Sequence, residues 1–425
     1  MQMISKFRLI VLGSIISILF SVMTVKAEVV KNAFGGSPWI AFPGSYRLTP
    51  AFPDKASRYD LLNFKPATGE FDALKVTGQF PHARYFGLNL YDYNEATDFA
   101  GLADRDIMPD EGSINPFEIG ADRSAENRTY TIWLVKEGAA VPEGAKNIMT
   151  YPDGIETLAF MTRVYRSDKG LNLLGGVPLP VVEAIKLDGQ DATAPKVGID
   201  AKGLQSKLKM FLFNLDIITT WNLQKEFAGD EIVFNRISDA GLFPNAHNEY
   251  VTAPLEQCYW NKVAVLTLKE VPTAEDTYEG GNFEGDTDVR YWSFCTGGLA
   301  ETGTPDCLCD DQVNKNEDGT VTIVIAPYYL KSSVKKAGLN YMKWGLVYKP
   351  IIIHRHMLAR DGFEGRIGNV APIGRPPAEE DRNEAYLDAH NAKNWMGDYT
   401  PKGYIYTVKE FKEKLNAGEF HTAFE

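Results

Sequence analysis

The chain has 425 residues, with 44 Lys and Arg against 56 Asp and Glu and a formal net charge of −12. With 44% hydrophobic and 24% charged residues it has the composition of a soluble globular protein of two or three domains, which excludes a wholly disordered, collagen-like or polytopic membrane chain. The acidic balance also speaks against a nucleic-acid partner, because neutralising phosphates takes a basic surface.

Lys6 and Arg8 precede an apolar run from Leu9 to Val25, and Val25-Lys26-Ala27 places small residues at the minus-three and minus-one positions of a signal-peptidase site. The expectation is a signal peptide over 1–27, cleaved after Ala27, and export to the periplasm or the extracellular space. The run carries Gly13, Ser14 and Ser17 and falls short of the roughly 20 apolar residues that span a bilayer. No stable membrane insertion is expected after cleavage.

The remainder reads as short aromatic or β-branched runs broken by Gly, Pro, Asn and Asp: Tyr85 to Tyr91, Tyr130 to Lys136, Leu158 to Tyr165, Val263 to Lys269, Val289 to Cys295, Val321 to Ala326 and Leu346 to Ile353. These are strand signals with few helical patterns between them, which favours antiparallel sandwiches over a strand-helix plan. Pro81 to Ile107 laid over Thr287 to Val313 brings Arg84-Tyr85-Phe86 onto Arg290-Tyr291-Trp292 and Asp104 onto Asp310. The expected fold is therefore mainly β: two related antiparallel, jelly-roll-like β-sandwich modules over 28–200 and 243–355, an internal duplication. A helical connector fills 201–242, where Leu204, Leu208, Phe211, Leu215, Ile218 and Trp221 recur at helical spacing over about 203–227. A partly helical tail occupies 356–425, with helical patterns over Ala378 to Lys393 and after a Thr407/Glu410 capping box that Gly418 closes.

In an exported chain the four cysteines read as disulfides. Cys307 and Cys309 are too close for an easy bridge in extended chain, so Cys295 is expected to pair with Cys307, and Cys258 with Cys309. A four-thiolate zinc site lacks paired CxxC knuckles, and no metal is expected.

The segments Arg290-Tyr291-Trp292-Ser293-Phe294-Cys295, Phe243-Pro244-Asn245 with Asn248 and Tyr250, and Gly175-Gly176-Val177-Pro178-Leu179-Pro180 resemble an uncharacterised family of exported bacterial proteins, as does Pro81 to Phe117. The resemblance implies an exported β-rich protein and supplies no reaction.

The candidate ligand-binding residues are Arg84, Tyr85, Asp104, Arg290, Tyr291, Trp292 and Asp310. A guanidinium fits a carboxylate as a two-toothed fork, so each arginine is expected either to clamp its own module's aspartate or to face a polar or anionic ligand beside an aromatic wall. His354 and His356 flank Arg355 at the end of an apolar run, where solvated histidines are expected, and His82 and His247 stand alone. Asn314, Asn316 and Asp318 imitate a calcium loop, but Ile325 occupies the position of the bidentate Glu, so a hairpin turn is preferred and calcium stays a minor alternative. There is no GxSxG, HExxH, Walker or dinucleotide motif; Ser206 with Lys209 and Ser332 with Lys335 fit Ser-x-x-Lys too loosely to be assigned. The leading functional expectation is binding of a small polar molecule or glycan in a cleft between the modules. The alternatives are a hydrolase or lyase acting on such a molecule through carboxylate, Tyr or His groups, and a structural or assembly module. No cofactor is expected.

Overall fold

A computed structural model describes residues 39–43, 52–198, 218–237, 243–257, 260–283, 285, 287–299, 302–374, 378–422 and 424. The expected signal peptide, Cys258 and the connector helix before residue 218 lie outside these residues; within them the connector is helical over 218–228.

Alternation decides the first sandwich. Along Ala83–Asp92, Phe86, Leu88 and Leu90 enter one hydrophobic core, while Tyr85, Gly87, Asn89 and Tyr91 project from the opposite face. This strand lies in a sheet ordered Trp39–Pro43, Ser57–Lys65, Leu158–Ser167, Ala83–Asp92, Thr97–Ala103, with Lys196–Val197 added to Ser57–Lys65. The facing sheet runs Asn147–Tyr151, Thr129–Lys136, Ala73–Gln79, Val181–Ile185. Leu74, Val76, Ile132 and Leu134 from it meet Leu62, Phe64, Phe160 and Val164.

The second sandwich pairs the sheet Asn248–Pro254, Pro350–Met357, Tyr291–Gly298, Asp306–Cys309 with the sheet Asn340–Lys343, Thr320–Ala326, Lys262–Lys269, Lys402–Thr407. Numbered by appearance in the chain, its eight strands follow the same pairing order as eight strands of the first. In each set one pairing is parallel, Thr129–Lys136 with Asn147–Tyr151 and Thr320–Ala326 with Asn340–Lys343, and the other pairings are antiparallel. The registers match as well: Arg163 lies between Tyr59 and Gly87, and Arg355 between Tyr250 and Ser293.

Thr320–Ala326 is buried on both faces, which explains the continuous apolar run from Ile323 to Ala326. Ile323 and Ile325 face the sandwich core, whereas Val324 and Ala326 meet Leu330, Val334, Phe411 and Phe420 from the helices Lys331–Lys336 and Val408–Ala417 and their flanks. Val408–Ala417 opens with the expected Thr407/Glu410 capping box and ends at Gly418, whose φ of 76° suits glycine. Over Ala378 to Lys393 the α-helix is confined to Glu384–Ala389, because Asn383 caps its start and Asn391 caps a separate 3-10 turn beyond it.

Two expected boundaries move. The run Leu346 to Ile353 becomes the strand Pro350–Met357, because Lys349 takes φ 47° and extended backbone cannot continue through it. Lys402–Thr407, assigned from sequence to the tail, hydrogen-bonds along Lys262–Lys269 as an edge strand of the second sandwich. Gly403 makes this close fit, since an added Cβ would run into the Val265 carbonyl.

Candidate functional site

The strand faces left outside the two cores meet each other. Tyr85, Ala103 and Tyr165 of the first sandwich pack with Tyr291, Cys309 and Met357 of the second in one cluster.

At this junction the expected pairing of each arginine with its own module's aspartate is corrected: the partners are exchanged. Arg84 donates to Asp310 through Nη1 at 3.2 Å and Nη2 at 2.8 Å, and to the Arg290 carbonyl at 3.0 Å. Arg290 returns the arrangement, donating to Asp104 at 3.2 and 3.3 Å and to the Arg84 carbonyl at 3.5 Å. The exchange follows from the turns that the aspartates open. Asp104 caps Phe86 N and Arg105 N, and Asp310 caps Asp311 N, which fixes each carboxylate at the end of an edge strand facing the other sandwich. Burial pushes both carboxyls above their ordinary range, against the pull of the facing guanidinium.

Of the seven residues singled out from sequence, six meet here. Trp292 does not: it points from the opposite face of its strand into the core and donates its indole N–H to the Val271 carbonyl at 3.1 Å. All seven are buried, and the six at the junction tie the sandwiches together.

A second exchange surrounds the first. Phe52-Pro53-Asp54 precedes Ser57–Lys65, and Phe243-Pro244-Asn245 precedes Asn248–Pro254. Phe52 and Phe243 take left-handed backbone, φ 50° and 48°, at a cost of about 1–2 kcal/mol each. Each segment leans on the other sandwich. Phe52 packs on Gly297, and its carbonyl accepts from Arg355 at 3.3 Å; Phe243 packs on Tyr91, and its carbonyl accepts from Arg163 at 2.6 Å. Asp54 accepts from the Tyr291 hydroxyl at 2.8 Å and Ser293 Oγ at 2.6 Å, while Asn245 Nδ2 donates to the Tyr85 hydroxyl at 3.2 Å.

The two halves of this arrangement differ in charge. Arg355 has a counter-charge, with Nη1 3.3 Å from Asp54. Burial works against both guanidiniums, but both are held above their ordinary range, Arg355 by Asp54 together with Tyr250, Tyr165 and Tyr59, and Arg163 by Tyr91, Tyr165 and Tyr85. Arg163 occupies the matching register position, and the repeat carries Asn245 where its counterpart has Asp54. Arg163 donates to Asn89 Oδ1, the Tyr91 hydroxyl and the Phe243 carbonyl, and among the described residues no carboxylate lies within ion-pair distance of it. Burial holds the Tyr91 hydroxyl up to about 12 and Tyr165 well above the ordinary value, so both are neutral near pH 7 and supply hydrogen bonds without charge.

Arg163 is 3% exposed, and partly exposed tyrosines lie around it. Its guanidinium lies 5.9 Å from the Tyr59 ring centre and 5.5 Å from that of Tyr91. Tyr59 is half-buried and shares a 2.7 Å hydrogen bond with Tyr165, and Tyr250 is 38% exposed. Beside them His247 Nδ1 lies 3.0 Å from the Tyr85 hydroxyl; burial, with help from Arg163, lowers the imidazole below its ordinary range and keeps it neutral.

The disulfide Cys295–Cys307 is present, between directly opposed residues of neighbouring strands. Cys309, expected to pair with Cys258, instead carries a free buried thiol 3.0 Å from the Tyr291 hydroxyl. Cys309 projects on the junction side of its strand, against Tyr291 and Met357, and burial pushes its thiol well up, so it is not a ready nucleophile. Asp54 lies within 4.8 Å of the Cys295 and Cys307 sulfurs, which the disulfide removes as metal ligands.

His354 and His356 are not solvated, as sequence suggested, but wholly buried in the core of the second sandwich, because even-numbered positions of Pro350–Met357 face inward. His354 stacks on Phe294 at 4.1 Å and meets His356 edge-on at 4.7 Å. In the candidate calcium loop, Asn316 Nδ2 donates to Thr320 and Thr322, and Asp318 accepts from Thr320 N and Oγ1. Lys331–Lys336 carries Ser332 and Lys335 on its exposed side; Ser206 and Lys209 lie outside the described residues.

Sequence reasoning missed Asp54, Arg163 and Arg355. A signal for Asp54 was present: Phe-Pro-(Asp/Asn)-x-x-(Ser/Asn)-x-Tyr occurs at 52–59 and again at 243–250. The arginines carried none, since only strand register makes them equivalent.

No protein-family model matches the chain, and no curated protein does. Among solved structures it is similar to an uncharacterised protein of Burkholderia cenocepacia, with a TM-score of 0.49 at 12% identity over 89% of this chain and 84% of that one. It is also similar to the VPA0106 protein of Vibrio parahaemolyticus, with a TM-score of 0.40 at 12% identity over 74% of this chain and 87% of that one.

Proposed function

We propose that this is an exported protein of two β-sandwiches derived from one duplicated unit, which binds a small polar molecule or glycan unit bearing an anionic group, with Arg163 as the principal contact. One observation carries the reading: in an otherwise reciprocal junction, Arg355 is ion-paired with Asp54, while Arg163 has no carboxylate partner among the described residues and the repeat carries Asn245 where its counterpart has Asp54. A desolvated guanidinium without a counter-charge is costly, and a carboxylate or phosphate fits its fork. Tyr59 and Tyr250, both partly exposed, supply stacking walls. The repeated strand order and the paired Phe-Pro segments support duplication. The Cys295–Cys307 disulfide supports an oxidising compartment and therefore export.

A second reading, a hydrolase or lyase, draws on the His247–Tyr85 pair. The complete burial of Tyr85 favours binding over it. The test is calorimetry of the purified protein with glucuronate against glucose, together with native mass spectrometry of carried ligands. The acidic sugar is expected to bind, and to bind at least tenfold more weakly to Arg163→Gln and to Asn245→Asp. Equal binding of the two sugars, or the same affinity in all three proteins, overturns the proposal; turnover lost with His247→Ala would establish the second reading in its place.

A further inference from the structure

The outer side of the second sandwich carries a groove of about 560 Å³, lined by Tyr328, Tyr329, Lys331, Ser332, Lys335 and Lys336. Its floor is fixed by the core beneath: Leu330 and Val334 are buried against the sheet, which leaves the tyrosines and lysines on the outside. Tyr328 is 72% exposed and Tyr329 54%. The Tyr329 ring is held by its hydroxyl, which donates to the Trp260 carbonyl at 2.6 Å, and Trp260 is itself 63% exposed. Lys331 Nζ lies 5.7 Å from the Tyr328 ring centre.

Charge sets this surface apart from the rest of the molecule. The chain as a whole is at −12, yet its sequence holds no Asp or Glu between Asp318 and Asp361. Among the described residues, Lys331, Lys335 and Lys336 pair with no carboxylate, unlike Lys393, Lys414 and Lys315, which do. Three ammonium groups without a carboxylate partner therefore border two outward tyrosine rings in an open, shallow groove.

We propose that this groove binds an acidic polysaccharide, with Tyr328 and Tyr329 stacking on sugar faces and the lysines pairing with uronate carboxylates. Aromatic rings offer the flat apolar surface that a sugar ring covers, and the lysines supply charge complementarity. The negative charge of the rest of the chain opposes any polyanion beyond the groove, nucleic acid and polysaccharide alike, so contact is expected to be confined to the few sugar units that the groove holds. The proposal does not depend on Arg163.

The experiment is native electrophoresis of the full chain through gels containing polygalacturonate or neutral dextran. Polygalacturonate is expected to retard the protein and dextran not to, with retardation fading as salt rises. Lys335→Glu with Lys336→Glu, and separately Tyr328→Ala with Tyr329→Ala, are expected to weaken the apparent affinity at least tenfold, while Arg163→Gln retains it. These side chains are exposed, so circular dichroism should be unchanged in both double variants. Equal mobility in the two gels, or retardation that survives both double variants, overturns the proposal. Stronger binding to anionic vesicles or single-stranded DNA than to polygalacturonate does so as well.

Discussion

Arg84 and Asp310 belong to different sandwiches, yet their side chains meet at 2.8 Å, and Arg290 reaches back to Asp104 at 3.2 Å. Each sandwich thus gives its arginine to the other and takes the other's aspartate. For a buried pair the loss of one partner is expected to be worse than the loss of both, because a single deletion leaves an uncompensated charge. Arg84→Met and Asp310→Leu should each cost about 3–5 kcal/mol. The double variant should recover most of that in guanidinium titrations. Additive losses would show that the two groups do not act as a pair.

Asn245→Asp is expected to rebuild around Arg163 what Asp54 provides for Arg355. Tyr85 would then donate to the new carboxylate, as Tyr291 does to Asp54. A gain of about 1–2 kcal/mol in the ligand-free protein is expected, since hydrogen bonds between charged groups exceed neutral ones by about that much. A variant less stable than the natural protein would mean that Arg163 is already compensated.

The two buried histidines make the second sandwich acid-sensitive. Burial lowers His354 to about 3 and His356 well below its ordinary value; His354 Nε2 and both nitrogens of His356 lack partners that could hold a proton. The unfolded chain takes up protons as pH falls below about 6.5 while the folded chain does not, so the stability present above that pH is lost as pH falls toward 3. His354 alone should remove about 2 kcal/mol between pH 7 and pH 5. Asp168, raised by burial to about 6, acts in the opposite direction, gaining stability as pH falls through its folded value. The comparison is therefore with His354→Phe/His356→Leu, whose unfolding free energy should fall less over that interval. Parallel curves for the two proteins would refute the assignment.

Reduction of Cys295–Cys307, which closes a sequence separation of 12, should cost about 2–4 kcal/mol. The Cys309 peptide should resist alkylation in the native protein and react once it is denatured, as read by peptide mass spectrometry. Rapid native labelling of Cys309 would show that the junction opens.

The fold was legible where alternation was strict. Phe86, Leu88 and Leu90 against Tyr85 and Tyr91 announce a strand with two different faces, and Cys295 opposite Cys307 follows from short-range spacing. Lys402–Thr407 was not legible, because Gly403 and two solvent-facing positions dilute an edge strand's pattern. The junction was half legible. The Arg-to-Asp correspondence pointed to the right residues, but a pairing within each module and one exchanged between modules leave the same sequence signature. Arg163 emerges only from comparing two registers, and the charge difference only from placing Asn245 where the other half has Asp54.

The late arrival of Lys402–Thr407 has a consequence for biogenesis. Its partner Lys262–Lys269 is made long before it, so a chain emerging from a ribosome or threading a narrow pore would display an apolar sheet with one open edge until this segment came through. The leading sandwich has its eight repeated strands in hand much sooner. Maturation is then a race in which the trailing half needs shielding from its neighbours and the front half does not.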